Sequence, residues 1–373
     1  VVRGVAGLIG NTPLMRIESL SELTGCEILG KAEYLNPAGS PKDRVALQIL
    51  LDAESSNLLI PHSGDTVFEG TVGSTGISLA TLCRAKGYKC AIVLPDDVAT
   101  EKAQLLEKLG AQVKKVRPRG IVDPRHFVNE ARANAIAFED EEAERERDGQ
   151  EGTRRPRGFF ADQFETTSNF TAHYRGTGPE IWAQCGGGSD DTRRPQLDAF
   201  VAGAGTGGTL SGVAAALRER EVKPQASREA ALEEHASIRI VLADPHGSGL
   251  FNKVHHGVMY SSTEAEGTRR RHQVDSIVEG IGMNRITRNL SFGVHLVDDA
   301  VRVQDEEAVR ISRWLSVRDG LFVGSSSCVN VVAAVRTALR LKKEWEEKGK
   351  EGRPTVVTIL CDSGVRHLSK FHN

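Results

Sequence analysis

The chain has 373 residues, of which 39% are apolar, 26% charged and 5% aromatic; at about 150 residues per domain this suggests two domains with ordinary cores. Forty-eight Lys and Arg against 50 Asp and Glu leave a formal net charge of −2, so no broad field draws in nucleic acid or anionic lipid. The six cysteines show no Cys-x-x-Cys and no Cys/His cluster at zinc spacing, and are expected to be buried and reduced, with no metal. That usage suits an intracellular, reducing compartment, cytoplasmic or mitochondrial. No window reaches the roughly 18 consecutive apolar residues of a membrane span, and the chain opens at Val1 without an initiator Met. Membrane anchoring is therefore expected only through a segment removed ahead of Val1.

Along the chain, β-rich runs alternate with helical patterns: residues 26–35 then 41–54, 65–70 then 76–87, 89–95 then 100–110, and 197–205 then 210–219. Strand, turn and helix in repetition predict an α/β protein with parallel sheet. The third helix carries its own punctuation, with Thr100 as expected cap, Glu101 in the first turn and Gly110 at the end. Residues 139–157 hold eight acidic residues and five Arg among nineteen, too little apolar surface to offset ordering, and are expected to be a mobile surface loop. Residues 186–195 read as a shorter insertion, and Arg269, Arg270 and Arg271 as a solvated face.

Four turns carry candidate chemistry. Lys42 follows Gly39-Ser40-Pro41 at the predicted first turn of a helix, where the positive end of the dipole lowers the basicity of an amine, as a Schiff-base lysine requires. Glu69-Gly70-Thr71-Val72-Gly73-Ser74-Thr75-Gly76 precedes a helix expected from Ile77, and gathers amides and hydroxyls into a nest sized for a carboxylate or phosphate. Gly203-Ala204-Gly205-Thr206-Gly207-Gly208-Thr209 lies between an apolar strand and a helix, the arrangement of a phosphate cradle. Its glycine spacing departs from Gly-x-Gly-x-x-Gly, and no acidic residue ends a second strand about 20 residues on, which argues against a dinucleotide. Gly324-Ser325-Ser326-Ser327 opens a further helix with hydroxyls free to cap it or to bond a ligand. A reactive lysine, a carboxylate nest, a phosphate cradle and a hydroxyl pocket are together the parts that pyridoxal 5′-phosphate needs.

At these residues the sequence resembles the cysteine synthase and cystathionine β-synthase family of pyridoxal-phosphate enzymes. The likeness runs from Ile9-Gly10-Asn11-Thr12-Pro13-Leu14 to Cys361-Asp362-Ser363-Gly364. The Gly73-Ser74-Thr75-Gly76 form is similar to that of the fungal cysteine synthase 2 branch. The resemblance implies a two-domain fold of the tryptophan-synthase-β-like type (fold type II), each domain a mainly parallel twisted sheet flanked by helices. Residues 1–45 and 169–373 would form the larger, cofactor-binding domain, and 46–168 a smaller mobile domain that grips the substrate carboxylate. By the same resemblance Lys42 bonds the cofactor and takes the substrate α-proton. Gly205, Thr206, Gly207, Gly208 and Thr209 hold its phosphate, Ser326 faces the pyridine nitrogen, and Ser74 contacts the cofactor. Thr71, Val72, Gly73, Ser74, Thr75, Gln163 and Gly280 bind substrate. The implied reaction is β-replacement, O-acetylserine and sulfide giving cysteine and acetate through an aminoacrylate, in a homodimer without nucleic-acid partners. Ser74 stands where the family usually has Asn, and Cys328 where it has Gly. These departures keep two alternatives open: replacement or elimination on serine, threonine or cysteine, and a cofactor-binding relative with a regulatory role. No counterpart of the haem-binding pair and regulatory domain of animal cystathionine β-synthases is read in these residues, which favours the expectation of a cysteine synthase.

Overall fold

The computed structural model describes residues 1–147, 154–188, 195–222, 237–260 and 276–373. Residues 148–153 of the charged insertion, most of the 186–195 segment and the Arg269-Arg270-Arg271 run lie outside these described residues.

Ten strands are described: β1 (Leu14–Arg16), β2 (Glu27–Ala32), β3 (Thr66–Gly70), β4 (Lys89–Pro95), β5 (Gln112–Val116), β6 (Gly158–Phe160), β7 (Ala199–Gly203), β8 (Arg239–Pro245), β9 (Asp299–Val303) and β10 (Thr355–Leu360). They form a six-stranded sheet in the order β1-β2-β10-β7-β8-β9 and a four-stranded sheet in the order β5-β4-β3-β6. Every pairing is parallel except that of β1 with β2. Helices cover both faces of a parallel sheet, so its strands read as apolar runs rather than as alternation. Thus all six residues of β10 and the first four of β7 are buried. Two apolar clusters flank the larger sheet, one around Val201, Val329 and Val356 and the other around Phe200, Val213 and Ile240.

The helix Lys42–Ser55 buries Val45, Ala46, Ile49, Leu50 and Ala53 with Val67, Ile77 and Leu79, so its apolar stripe belongs to the four-stranded body. The chain therefore leaves the larger sheet after β2, builds the smaller one with β3 to β6, and returns for β7 to β10. Ligand sites of such sheets lie at the carboxyl ends of the strands, and here those ends face one another across a cleft.

Three sequence expectations are corrected. The helix Phe127–Arg147 continues through 139–147, which were expected to be a loop. Its first turns are anchored by Phe127, Val128 and Ala131 against Val93, so the costly nucleus is already formed, and Glu, Ala and Arg then propagate it. Thr100 does not cap its helix: Ala99 occupies that position with no side-chain bond, and the Thr100 amide donates to Ser369 Oγ at 3.2 Å. The helix after the 69–76 motif begins at Ser74 rather than Ile77, so the hydroxyls of the nest belong to the helix itself.

Candidate active site

Lys42 is the first residue of its helix, preceded by Gly39 at φ +78° and by Pro41, whose fixed φ suits a helix start. Among the described residues its Nζ has no hydrogen-bond acceptor. Its amine is held below the ordinary lysine value by burial, with Cys361 and Asp362 pulling the other way. The cause that dominates is thus desolvation, not the helix dipole invoked from the sequence. Next to it, Asp43 accepts from the Ala38 amide and from Ser78 Oγ, both at 2.6 Å, and burial raises its carboxyl to about 6. Arg44 is held in turn by Glu33 at 2.8 Å and by Glu180 at 2.6 Å. The two residues that follow Lys42 are therefore both fixed in place.

The 71–76 loop turns off β3 into the helix Ser74–Lys86, with Gly73 at φ +129°. Thr71 and Thr75 are buried. The Thr71 amide donates to Val93 O at 3.0 Å, and Thr75 Oγ1 donates to Gln163 Oε1 at 2.5 Å. Gln163 in turn donates through Nε2 to Glu69 Oε1 at 3.2 Å. Burial, helped by the neighbouring Asp162 charge, raises Glu69 to about 8. Ile77 is the first residue to donate back to the loop, to Gly73 O at 2.9 Å, so the Ser74, Thr75 and Gly76 amides have no intrahelical acceptor.

Across the cleft the 203–209 loop leads from β7 into the helix Gly208–Val222. A Cβ at Gly205 would collide with the Gly280 carbonyl; one at Gly207, where φ is +83°, would sit 2.5 Å from Leu290 Cβ; one at Gly208 would strike Asn169. Thr206 accepts from Asn169 Nδ2 at 2.8 Å and, through its carbonyl, from Thr287 Oγ1 at 2.7 Å. Behind Thr209, 3.1 Å from its hydroxyl, lies the buried His173, kept neutral by desolvation. The first intrahelical bond runs from the Ser211 amide to Gly207 O, leaving the Gly208, Thr209 and Leu210 amides as donors without a helical partner, a site for an anion. Ser326 sits in the first turn of the helix Ser325–Glu347, beside the Cys361 thiol, which burial pushes up to about 12.

One cavity of roughly 270 Å³ joins these pieces. It is lined by Lys42, Thr71, Val72, Ser74, Thr75, Gln163, Gly205, Thr206, Gly207, Thr209, Gly280 and Ser326. Gly73 and Gly208 do not line it; they shape the two turns, Gly73 over the Lys102 side chain and Gly208 against Asn169. The wall also includes Glu279, which opens the Glu279-Gly280-Ile281-Gly282 loop that the resemblance places near the substrate, and Cys361, Asp362, Lys102, His367 and Lys370, which sequence reasoning left out. Cys361 in particular was expected to be packing, yet it is partly accessible and faces the cavity. No spacing signal announces these residues, because their partners come from distant parts of the chain.

The residues fit pyridoxal phosphate on three observations. A half-buried amine of lowered basicity has no hydrogen-bond partner among the described residues, a glycine cradle that no Cβ would fit presents amides without a helical partner, and a neutral hydroxyl at Ser326 shares the same cavity. Among the described residues no group of three or more His, Cys, Asp or Glu could hold a metal ion, and no helix is long and apolar enough to cross a membrane.

Comparison with known proteins agrees with this geometry. Residues 5–362 match the family described as pyridoxal-phosphate dependent enzyme. A Neurospora crassa protein named cysteine synthase 2 is 59% identical over 371 residues, 99% of this chain and 73% of the relative. A Schizosaccharomyces pombe protein of the same name is 51% identical over 373 residues, all of this chain and 84% of the relative. Among solved structures, O-ureido-L-serine synthase superposes with a TM-score of 0.71 at 28% identity, covering all of this chain and 95% of that one.

Proposed function

The chain belongs to the family of pyridoxal-phosphate-dependent enzymes, and from that premise we propose that it is a cysteine synthase, which replaces the acetate of O-acetylserine by sulfide. The observation that carries this reading is the 59% identity, across 99% of the chain, to a relative of that name. The cavity supplies the parts the reaction needs.

Bound pyridoxal phosphate supplies an aldehyde that an amine can bond and a ring that delocalises the electron pair left at the substrate α-carbon. The amides and hydroxyls of 205–209 would hold the phosphate, Lys42 Nζ would be the amine for the aldehyde, and Ser326 would serve the ring nitrogen. A neutral hydroxyl there would not protonate that nitrogen, which would suit loss of a β-substituent. Thr71, Thr75 and Gln163, with the loop amides of 72–75, bind the substrate carboxylate, and Gly280 lies against the substrate. Once displaced, Lys42 Nζ takes the α-proton, and its burial keeps a larger share of it unprotonated and able to do so. Val72, Val98, Ile121, Phe127 and Phe164 add apolar surface to the part of the wall formed by the smaller body, which helps to keep water from competing with sulfide. Movement of residues 46–168 against the larger domain on carboxylate binding, a homodimeric assembly and a reducing compartment belong to the same reading. All six cysteines are free, which supports the last.

The test is the visible spectrum of the purified protein before and after O-acetylserine, and again after sulfide, with Lys42→Ala as control. A band that the substitution alters, that shifts with O-acetylserine and returns with sulfide as cysteine accumulates, is expected. A band that O-acetylserine leaves unmoved while serine, threonine or cysteine shifts it would replace this donor, and no response to any amino acid would make the chain a binding relative.

A further inference from the structure

Lys102, on the helix Thr100–Lys108 of the four-stranded body, is almost fully buried and ion-paired with Glu279, which stands in the other body on the loop that carries Gly280 and Gly282. Glu279 also accepts from Lys370 Nζ at 3.1 Å and lies 3.5 Å from His367 Nδ1. His367 Nε2 is 2.9 Å from Asp362 Oδ2. The C-terminal segment adds its own hold on the same helix: the Ser369 amide donates to Glu101 at 2.7 Å, and Ser369 Oγ accepts from the Thr100 amide at 3.2 Å. Lys370 also donates to Asp97 O at 3.3 Å. The stem of Lys102 lies directly under the carboxylate loop, since a Cβ at Gly73 would sit 2.7 Å from Lys102 Cδ.

We propose that Glu279 is the shared acceptor of a latch that holds the helix Thr100–Lys108 over the cavity, with the C-terminal segment as its strap and Lys102 as the bolt beneath the 71–76 loop. Charges suit a latch better than an apolar seal would. Burying an ion pair costs desolvation that roughly cancels its Coulomb gain, and both partners are welcomed by water on separation, so closed and open states differ little in free energy. An apolar seal of the same area would be held shut by the full hydrophobic term. Glu279 and Lys102 are thus positioning residues: they set how readily the amino acid enters and is enclosed, and touch no reacting atom. The latch is independent of which amino acid the site takes.

The experiment is hydrogen exchange, on the cofactor-loaded protein without substrate, of Glu279→Gln, Lys102→Met and the double variant. Each single substitution is expected to speed exchange of the 100–108 amides by about tenfold or more, while those of β7 stay protected. The double variant is expected to exchange no faster than the faster single, because either change opens the same contact. KM for the amino-acid donor should rise several-fold in each, with a smaller change in kcat. Unchanged exchange in 100–108, effects that multiply in the double variant, or loss of protection throughout the larger sheet would each overturn the proposal. If Glu279→Gln does not fold, Lys370→Met serves: it removes one donor at a partly exposed position and must give intermediate exchange, and wild-type exchange there overturns the latch. Because the readout needs no turnover, its failure leaves the cysteine synthase reading standing, and a different donor leaves the latch standing.

Discussion

The 203–209 loop and the 71–76 loop are built alike, each a glycine-bearing turn from a parallel strand into a helix, yet the structure secures them differently. In the first, Gly205, Gly207 and Gly208 press on the Gly280 carbonyl, Leu290 and Asn169, and Thr206 is held from two sides by Asn169 and Thr287. In the second, Gly73 rests on the flexible stem of Lys102, and the main side-chain tie is Thr75 to Gln163. Shape fixed by backbone contact leaves no room for another residue, whereas shape held by side chains can be retuned. The 203–209 loop therefore tolerates little beyond glycine at these positions, whereas in the 71–76 loop the side chains of Val72 and Ser74 line the cavity.

The largest effect is expected where the two loops meet a common target. Lys42→Ala should lower the steady-state rate by roughly 10²–10⁴-fold, the range of a lost proton-transfer group, with both loops intact by crystallography or exchange.

The next test separates the foundations of the two loops. Glu69, beneath the 71–76 loop, has its folded pKa raised to about 8 from 4.5. The folded chain thus holds a proton that the unfolded chain releases between these values. The stability it contributes is present below about pH 4.5 and is lost as pH rises through 8, at a slope approaching about 1.4 kcal/mol per pH unit. Denaturant unfolding of Glu69→Gln should show a flatter profile over that window and higher stability than the parent at pH 8. Parallel profiles would mean that Glu69 ionises freely.

Gly205→Ala forces a methyl group against the Gly280 carbonyl, and an overpacked site of this kind costs about 1–3 kcal/mol. The cost should be read as a weaker dissociation constant for pyridoxal phosphate, with the KM for the amino acid far less affected. Thr75→Val inverts that pattern: losing the bond to Gln163 costs about 0.5–1.5 kcal/mol and should raise KM for the amino acid while cofactor retention holds. If both substitutions moved the same constant, the two loops would not have separate duties.

What could be read before the structure was local. Lys42 and the two glycine loops stand at strand-to-helix turns, while Ser326 opens a helix that follows another helix, Asp305–Arg318, rather than a strand; such helix starts are encoded by a few adjacent residues: a glycine where φ must be positive, a hydroxyl at a helix start, a proline at its entrance. Gly73 at +129° and Gly207 at +83° bear this out. Cys361, by contrast, could only be placed as packing, because the serine and lysine beside it are 35 and 319 residues away in sequence. The pairing of Glu279 with Lys102, 177 residues away, was hidden for the same reason. The helix through 139–147 was missed for another reason: composition describes whether a segment can fold alone, while this one extends a helix already anchored by Phe127 and Val128.

By itself the sequence determined the alternation of strands and helices, the parallel character of the sheets and the four turns that meet at one cavity. Each depends on the periodicity of neighbours or on the backbone freedom of single residues. Only the tertiary structure decided which charges would share a buried site, which cysteine would face the cavity and which loop would be rigid. Those outcomes depend on distances between residues far apart in the chain, and a solvent-exposed lysine and a buried one such as Lys102 are written with the same letter.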